Sequence, residues 1–108
     1  MNLAWALLIC AGLFEIGWPL GLKNGYTESG MHWGWIGFAC ICMVISGSLL
    51  FYAQKTIPIG TAYAVWTGIG AVGTFTLGVI LFGDALNTLR LMSALLIVTG
   101  VIGLKIAA

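Results

Sequence analysis

Charge is what this chain has least of: four Lys or Arg, three Asp or Glu and one His among 108 residues, against 61% hydrophobic residues. That scarcity excludes an ordinary soluble domain, because a domain this small leaves much of its surface wet and has nowhere to hide so much apolar area. A net charge of +1 with no run of like charges excludes the electrostatic footprint of a nucleic-acid or anionic-surface partner. Metal chemistry is equally unprovided for. The Cys40-x-Cys42 spacing has no His or further Cys to complement it, and its two residues face different helix directions. Cys10, Cys40 and Cys42 are expected to be small buried packing residues. A nucleophile–base pair and a phosphate loop are both missing, so neither an enzyme nor a cofactor site is expected. The first apolar segment lacks a basic start and an A-x-A-like site, which favours a retained span over a cleaved signal. No sequence repeat relates the two halves, although transporters commonly need inverted halves around a midplane site.

What remains is apolar sequence of mean hydropathy +1.11, enough for four spans of about 20 residues joined by short loops. The fold expected is all-α: a single four-helix transmembrane unit over residues 1–108, with helices at about 3–22, 33–53, 59–82 and 89–106. The first helix is expected to stop at Lys23-Asn24-Gly25, and Gln54-Lys55 ends the second. Ile57 before Pro58 is biased away from helix, which makes the second loop tight. Asn87 and Thr88 are candidate N-caps of the fourth helix. Trp5, Trp33 and Trp35 lie near predicted span ends, as an aromatic belt requires. His32 beside Trp33 is expected to be a solvated interfacial residue.

Glycine has positional meaning in two places. Gly68 and Gly70, one residue apart in the third span, suit a hinge or close helix packing through small residues. Thr99, Gly100 and Gly103 form a small-residue patch on the fourth span, expected to be a helix-contact surface and in particular an intersubunit one.

The Lys and Arg count gives no preferred orientation. The N-terminus, loop 2 and the C-terminus share one face, with Lys55 and Lys105; loops 1 and 3 share the other, with Lys23 and Arg90. A two-against-two score is what chance can give a short, sparsely charged chain. It is also what dual topology requires, in which copies insert both ways and pair antiparallel. Such a homodimer builds the missing inverted repeat from two copies of one chain.

Glu15 is the one charge inside the first span. At ~1.5 Å per residue from Leu3 it lies about 18 Å along, past the middle of a ~30 Å hydrocarbon core. A carboxylate there costs ~2.5–3.5 kcal/mol on insertion scales, and no basic residue of the sequence lies at matching depth to neutralise it. Two roles are open to it: a protonated acid bridging packed helices, or a proton and cation site whose missing partner is a cationic substrate. Gly12, Glu15 and Trp18 share a helix face at spacing three, Gly12 leaving room and Trp18 offering an aromatic face to a cation. Tyr63 and Trp66 repeat that spacing on the third span, with Trp66 roughly 10 Å inside it. Belt and core packing are the alternatives for Trp18 and Trp66. Ser46 and Ser48 could each hold a carboxylate in one rotamer or bond a neighbouring carbonyl. Together these residues make an acidic, aromatic-walled box suited to a hydrophobic or planar cation.

Phe14-Glu15-x-x-Trp18, Gly21-Leu22-Lys23, the long string from Pro58 to Ala71 (PIGTAYAVWTGIGA) and the closing Gly103-Leu104-Lys105 resemble the small multidrug resistance family, and within it the guanidinium-exporter branch. The resemblance covers essentially the whole chain. It implies an antiparallel homodimer of four-helix subunits, multi-pass in the bacterial inner membrane, that exchanges protons for guanidinium-like cations by alternating access. By that likeness Glu15 is the shared proton and substrate carboxylate, while Trp18, Ser46, Tyr63 and Trp66 match cavity positions and Gly12 a small lining residue. Trp18 is what separates the guanidinium branch from the quaternary-ammonium branch, which tends to carry a small residue there. Two departures stand out: Pro19, expected to kink the first helix, and Ala85 where relatives often have Pro, which leaves loop 3 looser. An exporter of quaternary ammonium or other lipophilic cations, a small dual-topology ion channel and an assembly subunit are the competing functions.

Overall fold

The computed structural model describes residues 2–108, and four helices carry nearly all of it. Helix α1 spans Leu3–Gly25, α2 Trp33–Ala53, α3 Ile59–Phe82 and α4 Thr88–Ala107. All four are long and apolar enough to cross a membrane by length and composition.

Their ends follow from local chemistry. Asn2 caps α1 by accepting from the Trp5 backbone N–H at 3.1 Å, and Asn87 caps α4 by accepting from that of Arg90 at 2.9 Å. Helix α3 stops at Gly83 in the left-handed region (φ 69°), and the N–H groups of Gly83 and Asp84 both turn back to the Gly78 carbonyl. Loop 3, expected to be loose without a proline at Ala85, is thus held at its entrance.

Helix α1 runs one turn past the expected stop and passes through Pro19 unbroken, the proline removing one backbone donor without ending the helix. The extra turn exists because loop 1 is a short antiparallel hairpin, β1 (Tyr26–Thr27) with β2 (Gly30–Met31), closed by His32 N–H donating to the Gly25 carbonyl at 2.8 Å. The hairpin folds on Gly30 at φ 107°. His32 is partly exposed, with the Thr27 and Ser29 hydroxyls 2.9 and 3.0 Å from its Nε2.

The first three helices form the packed body, and small residues set their spacing. At Gly21 an added Cβ would stand 2.8 Å from the Trp35 carbonyl oxygen and 2.9 Å from the Ala39 nitrogen, so α1 and α2 touch backbone to backbone there. Gly17 receives Cys42 of α2. The most apolar core, Trp5, Leu8, Ala53, Ile57, Ala62 and Val65, fills the end of the bundle where α1 begins, α2 ends and α3 begins.

Two placements correct expectations from sequence position. Trp5 is 7% exposed, buried in that core beneath the Lys105 ammonium 4.7 Å from its ring, and is no belt residue. Cys42 is buried, but Cys10 and Cys40 are exposed, because they lie on faces that no helix of the same chain covers.

Helix α4 is attached differently. It leans mainly on α3, inserting Val101 against Gly68, touches α1 through Lys105 over Trp5, and has no buried residue of its own. Gly100 and Gly103 have nothing within 4 Å of an added Cβ, so the small-residue patch faces away from the chain's other helices.

Candidate functional site

Glu15 projects from the middle of α1 into the groove between α1 and α3, where Gly70 makes room for it. A Cβ at position 70 would stand 2.6 Å from Glu15 Cγ. One turn further along α1, the Trp18 indole Nε1 donates to Glu15 Oε1 at 2.7 Å. The i, i+3 spacing puts both groups on one face, and the indole N–H fixes the carboxyl in one orientation.

A second strand of the network arrives from α2. Ser46 is fully buried, donates its hydroxyl hydrogen to the Ala11 carbonyl at 2.7 Å and accepts from the Trp66 indole Nε1 at 2.8 Å. The same hydroxyl lies near the Glu15 carboxyl. Ser46 therefore joins α1, α2 and α3 at one oxygen. Tyr63 lies beside Trp66, ring centroids 5.4 Å apart and tilted by 54°, with its own ring largely exposed. Ser48, the other hydroxyl considered on α2, is exposed and donates to Val44 within its own helix.

A cavity of about 320 Å³ opens beside the carboxyl, lined by Glu15, Trp18, Pro19, Thr67, Gly70, Ala71 and Thr74. Ser46, Tyr63 and Trp66 are not in its lining. Gly12 is placed elsewhere again: its open side faces Ile69, whose Cβ would be 2.7 Å from an added Cβ, and α3 fills the room that Gly12 leaves. Gly68 and Gly70 serve opposite flanks of α3, one receiving Val101 and the other Glu15, and the helix is continuous through both. Thr67 and Thr74 are site residues that the sequence did not single out. Their signal was there, at i−3 and i+4 from Gly70 on one face of α3.

The electrostatics of the site are set by which cations stay away. Each of the four basic side chains lies over an aromatic ring elsewhere: Lys23 over Phe82, Lys55 over Phe51 and Tyr52, Arg90 over Phe75 and Lys105 over Trp5. Among the described residues, no group of three or more His, Cys, Asp or Glu is placed to hold a metal ion.

Four apolar spans around a half-buried, hydrogen-bonded acid with an adjoining cavity define a small multi-pass membrane protein with a polar site between its helices. Residues 3–97 match the family described as Small Multidrug Resistance protein, and the chain belongs to that family. It is a multi-pass inner-membrane protein. It is 47% identical over 106 residues to a protein of Proteus vulgaris named guanidinium exporter, covering 98% of this chain and 100% of that one. The Escherichia coli K12 protein of the same name is 46% identical over 105 residues, covering 97% and 98%. That of Salmonella typhimurium is 47% identical over 106 residues, covering 98% and 99%. These relatives are named for transport, not for a reaction.

Proposed function

We propose that this protein exports guanidinium or substituted guanidinium cations in exchange for protons, with Glu15 as the group that both ligands neutralise. The observation that carries this is the lone acid: Glu15 lies deep in α1, oriented by Trp18 beside a cavity, while all four Lys and Arg are engaged on rings elsewhere. An unneutralised carboxylate in a bilayer is expensive, so the site is stable with a bound proton or a bound cation and poor with neither. A guanidinium ion is planar with several N–H donors and can bond a carboxylate bidentately. Trp18 adds an aromatic surface, which favours a flat cation. Proton and cation then compete for one charge, and that competition couples their movements: an inward proton gradient drives the cation out. The names of the relatives support guanidinium as the substrate class.

A four-helix subunit supplies half of an alternating-access transporter. The other half is taken to be a second copy in the opposite orientation. In support, the Lys and Arg count is balanced between faces, and α4 exposes Gly100 and Gly103 with no contact inside the chain. In that dimer two Glu15 carboxyls share one cavity and titrate as a coupled pair.

Guanidinium binding to purified protein, followed by calorimetry across pH, tests the scheme. Wild type is expected to bind with affinity that falls as pH falls, and Glu15→Gln is expected to bind neither guanidinium nor a coupled proton. Full antiport by Glu15→Gln would sink it. Tighter binding of tetraethylammonium than of guanidinium would transfer the function to quaternary ammonium export.

A further inference from the structure

The groove that holds Glu15 continues toward one end of the bundle. A second cavity, of about 250 Å³, follows the Glu15 cavity along α1 and α3, and Pro19 and Thr74 line both. Its far end is formed by Lys23, Phe82 and Asp84, where loops 1 and 3 meet one membrane face. The two cavities thus adjoin, one beside the half-buried acid and the other reaching the loops.

The second cavity repeats the chemistry of the first: a carboxylate (Asp84), an aromatic ring (Phe82) and a hydroxyl (Thr74). Asp84 is folded back over α3 by the turn at Gly83, its backbone N–H donating to the Gly78 carbonyl at 3.0 Å. Gly78 is buried, and a Cβ there would collide with the Asp84 carboxyl. The glycine is therefore what allows the acid to lie along the helix at the cavity. The Thr74 hydroxyl is also distinct. Those of Thr67 and Thr76 donate to the Tyr63 and Val72 carbonyls one turn back. Among the described residues Thr74 makes no hydrogen bond, so its oxygen is free to face a ligand. A cation is already held at this place: the Lys23 ammonium lies 5.7 Å from the Phe82 ring centroid, at the end of a flexible stem.

We propose that Asp84, Phe82 and Thr74 form an outer cation site, held at rest by the tethered Lys23 ammonium, which a guanidinium-like cation displaces on its way between the aqueous face and Glu15. The proposal rests on Glu15 being the inner substrate site. Lys23 then acts as a surrogate cation on the Phe82 ring whenever substrate is absent. Exchange of one cation for another leaves the charge of the vestibule constant, which lowers the barrier to entering a low-dielectric groove.

Cysteine accessibility in proteoliposomes tests this. In a background with Cys10, Cys40 and Cys42 replaced by Ala, Thr74→Cys is treated with a cationic and an anionic methanethiosulfonate reagent, and Thr76→Cys, on the exposed side of α3, serves as the lipid-facing control. Thr74→Cys is expected to react and Thr76→Cys to stay unlabelled. Asp84→Asn should lower the cationic-to-anionic rate ratio at position 74 by about tenfold at low salt. Asp84→Glu should restore it, and Lys23→Gln should raise it. An unreactive Thr74→Cys, or a ratio unmoved by Asp84→Asn and Lys23→Gln, would overturn the outer site. The same ratios measured with Glu15→Gln are expected to persist. Loss of guanidinium binding in that variant tests the inner site alone, and the two ideas can fail separately.

Discussion

Trp18 and Glu15 form a closed pair on α1, the indole Nε1 donating to the carboxyl Oε1 across 2.7 Å, one helical turn apart. The acid is thereby oriented before any ligand arrives, and a ligand need not immobilise it. Trp18→Phe keeps an aromatic surface and removes the donor. A hydrogen bond to a charged group contributes ~1.5–3 kcal/mol, so guanidinium affinity should weaken by at least about tenfold. Calorimetry gives the affinity, and an unchanged value would show that Trp18 works through its ring alone.

Ser46 is a different case, because its one hydroxyl serves two buried partners, donating to the Ala11 carbonyl and accepting from the Trp66 indole. Ser46→Ala leaves the Trp66 N–H and the Ala11 carbonyl without their partner. Each such loss costs ~1–3 kcal/mol when buried. The variant should unfold at lower denaturant in a detergent titration, and Ser46→Thr should recover most of the loss. Stability equal to wild type would mean that water replaces the hydroxyl.

The glycines divide into two sets with opposite expected effects. At Gly21 an added methyl meets the backbone of α2, which has no flexible side chain to yield. Gly21→Ala should destabilise the subunit by ~1–3 kcal/mol. Gly100→Leu and Gly103→Leu meet nothing in their own chain, and the helical content and fold of the subunit should survive. If α4 packs on a second copy, both variants should shift the detergent-solubilised protein from dimer to monomer, measured by light scattering. Dimers that withstand both substitutions would place the interface elsewhere.

Proton and cation compete for Glu15 in the proposed scheme, so the sign of the pH effect is fixed. Below the titration of the site, each unit of pH removed should raise the apparent guanidinium dissociation constant by about tenfold per proton displaced. Above it, affinity should level off. If two carboxyls share a cavity in the proposed dimer, the titration should be broader than that of a single acid. Affinity independent of pH would separate the cation from the carboxyl.

The helices themselves were legible because their signal is local. Apolar runs of span length, with turn residues between them, put α2 and α3 at the ends expected for them and marked Asn87 as a cap. Loop 1 was not legible, since a hairpin of two-residue strands has too few side chains to show a period, and α1 gained a turn from it. Trp5 was misjudged for a related reason: position along a span says how deep a residue lies but not which way it faces.

What the chain settles by composition alone is its class and its chemistry. So little charge in so much apolar sequence must be spread over membrane spans, and one acid at mid-depth must be neutralised by something. What tertiary packing decided is how that acid is held. Contacts such as Ser46 to Ala11 and Gly70 to Glu15 join residues 35 and 55 positions apart. No local periodicity encodes them, because they depend on the rotation of each helix about its own axis, and small residues fix that rotation only once two helices have met.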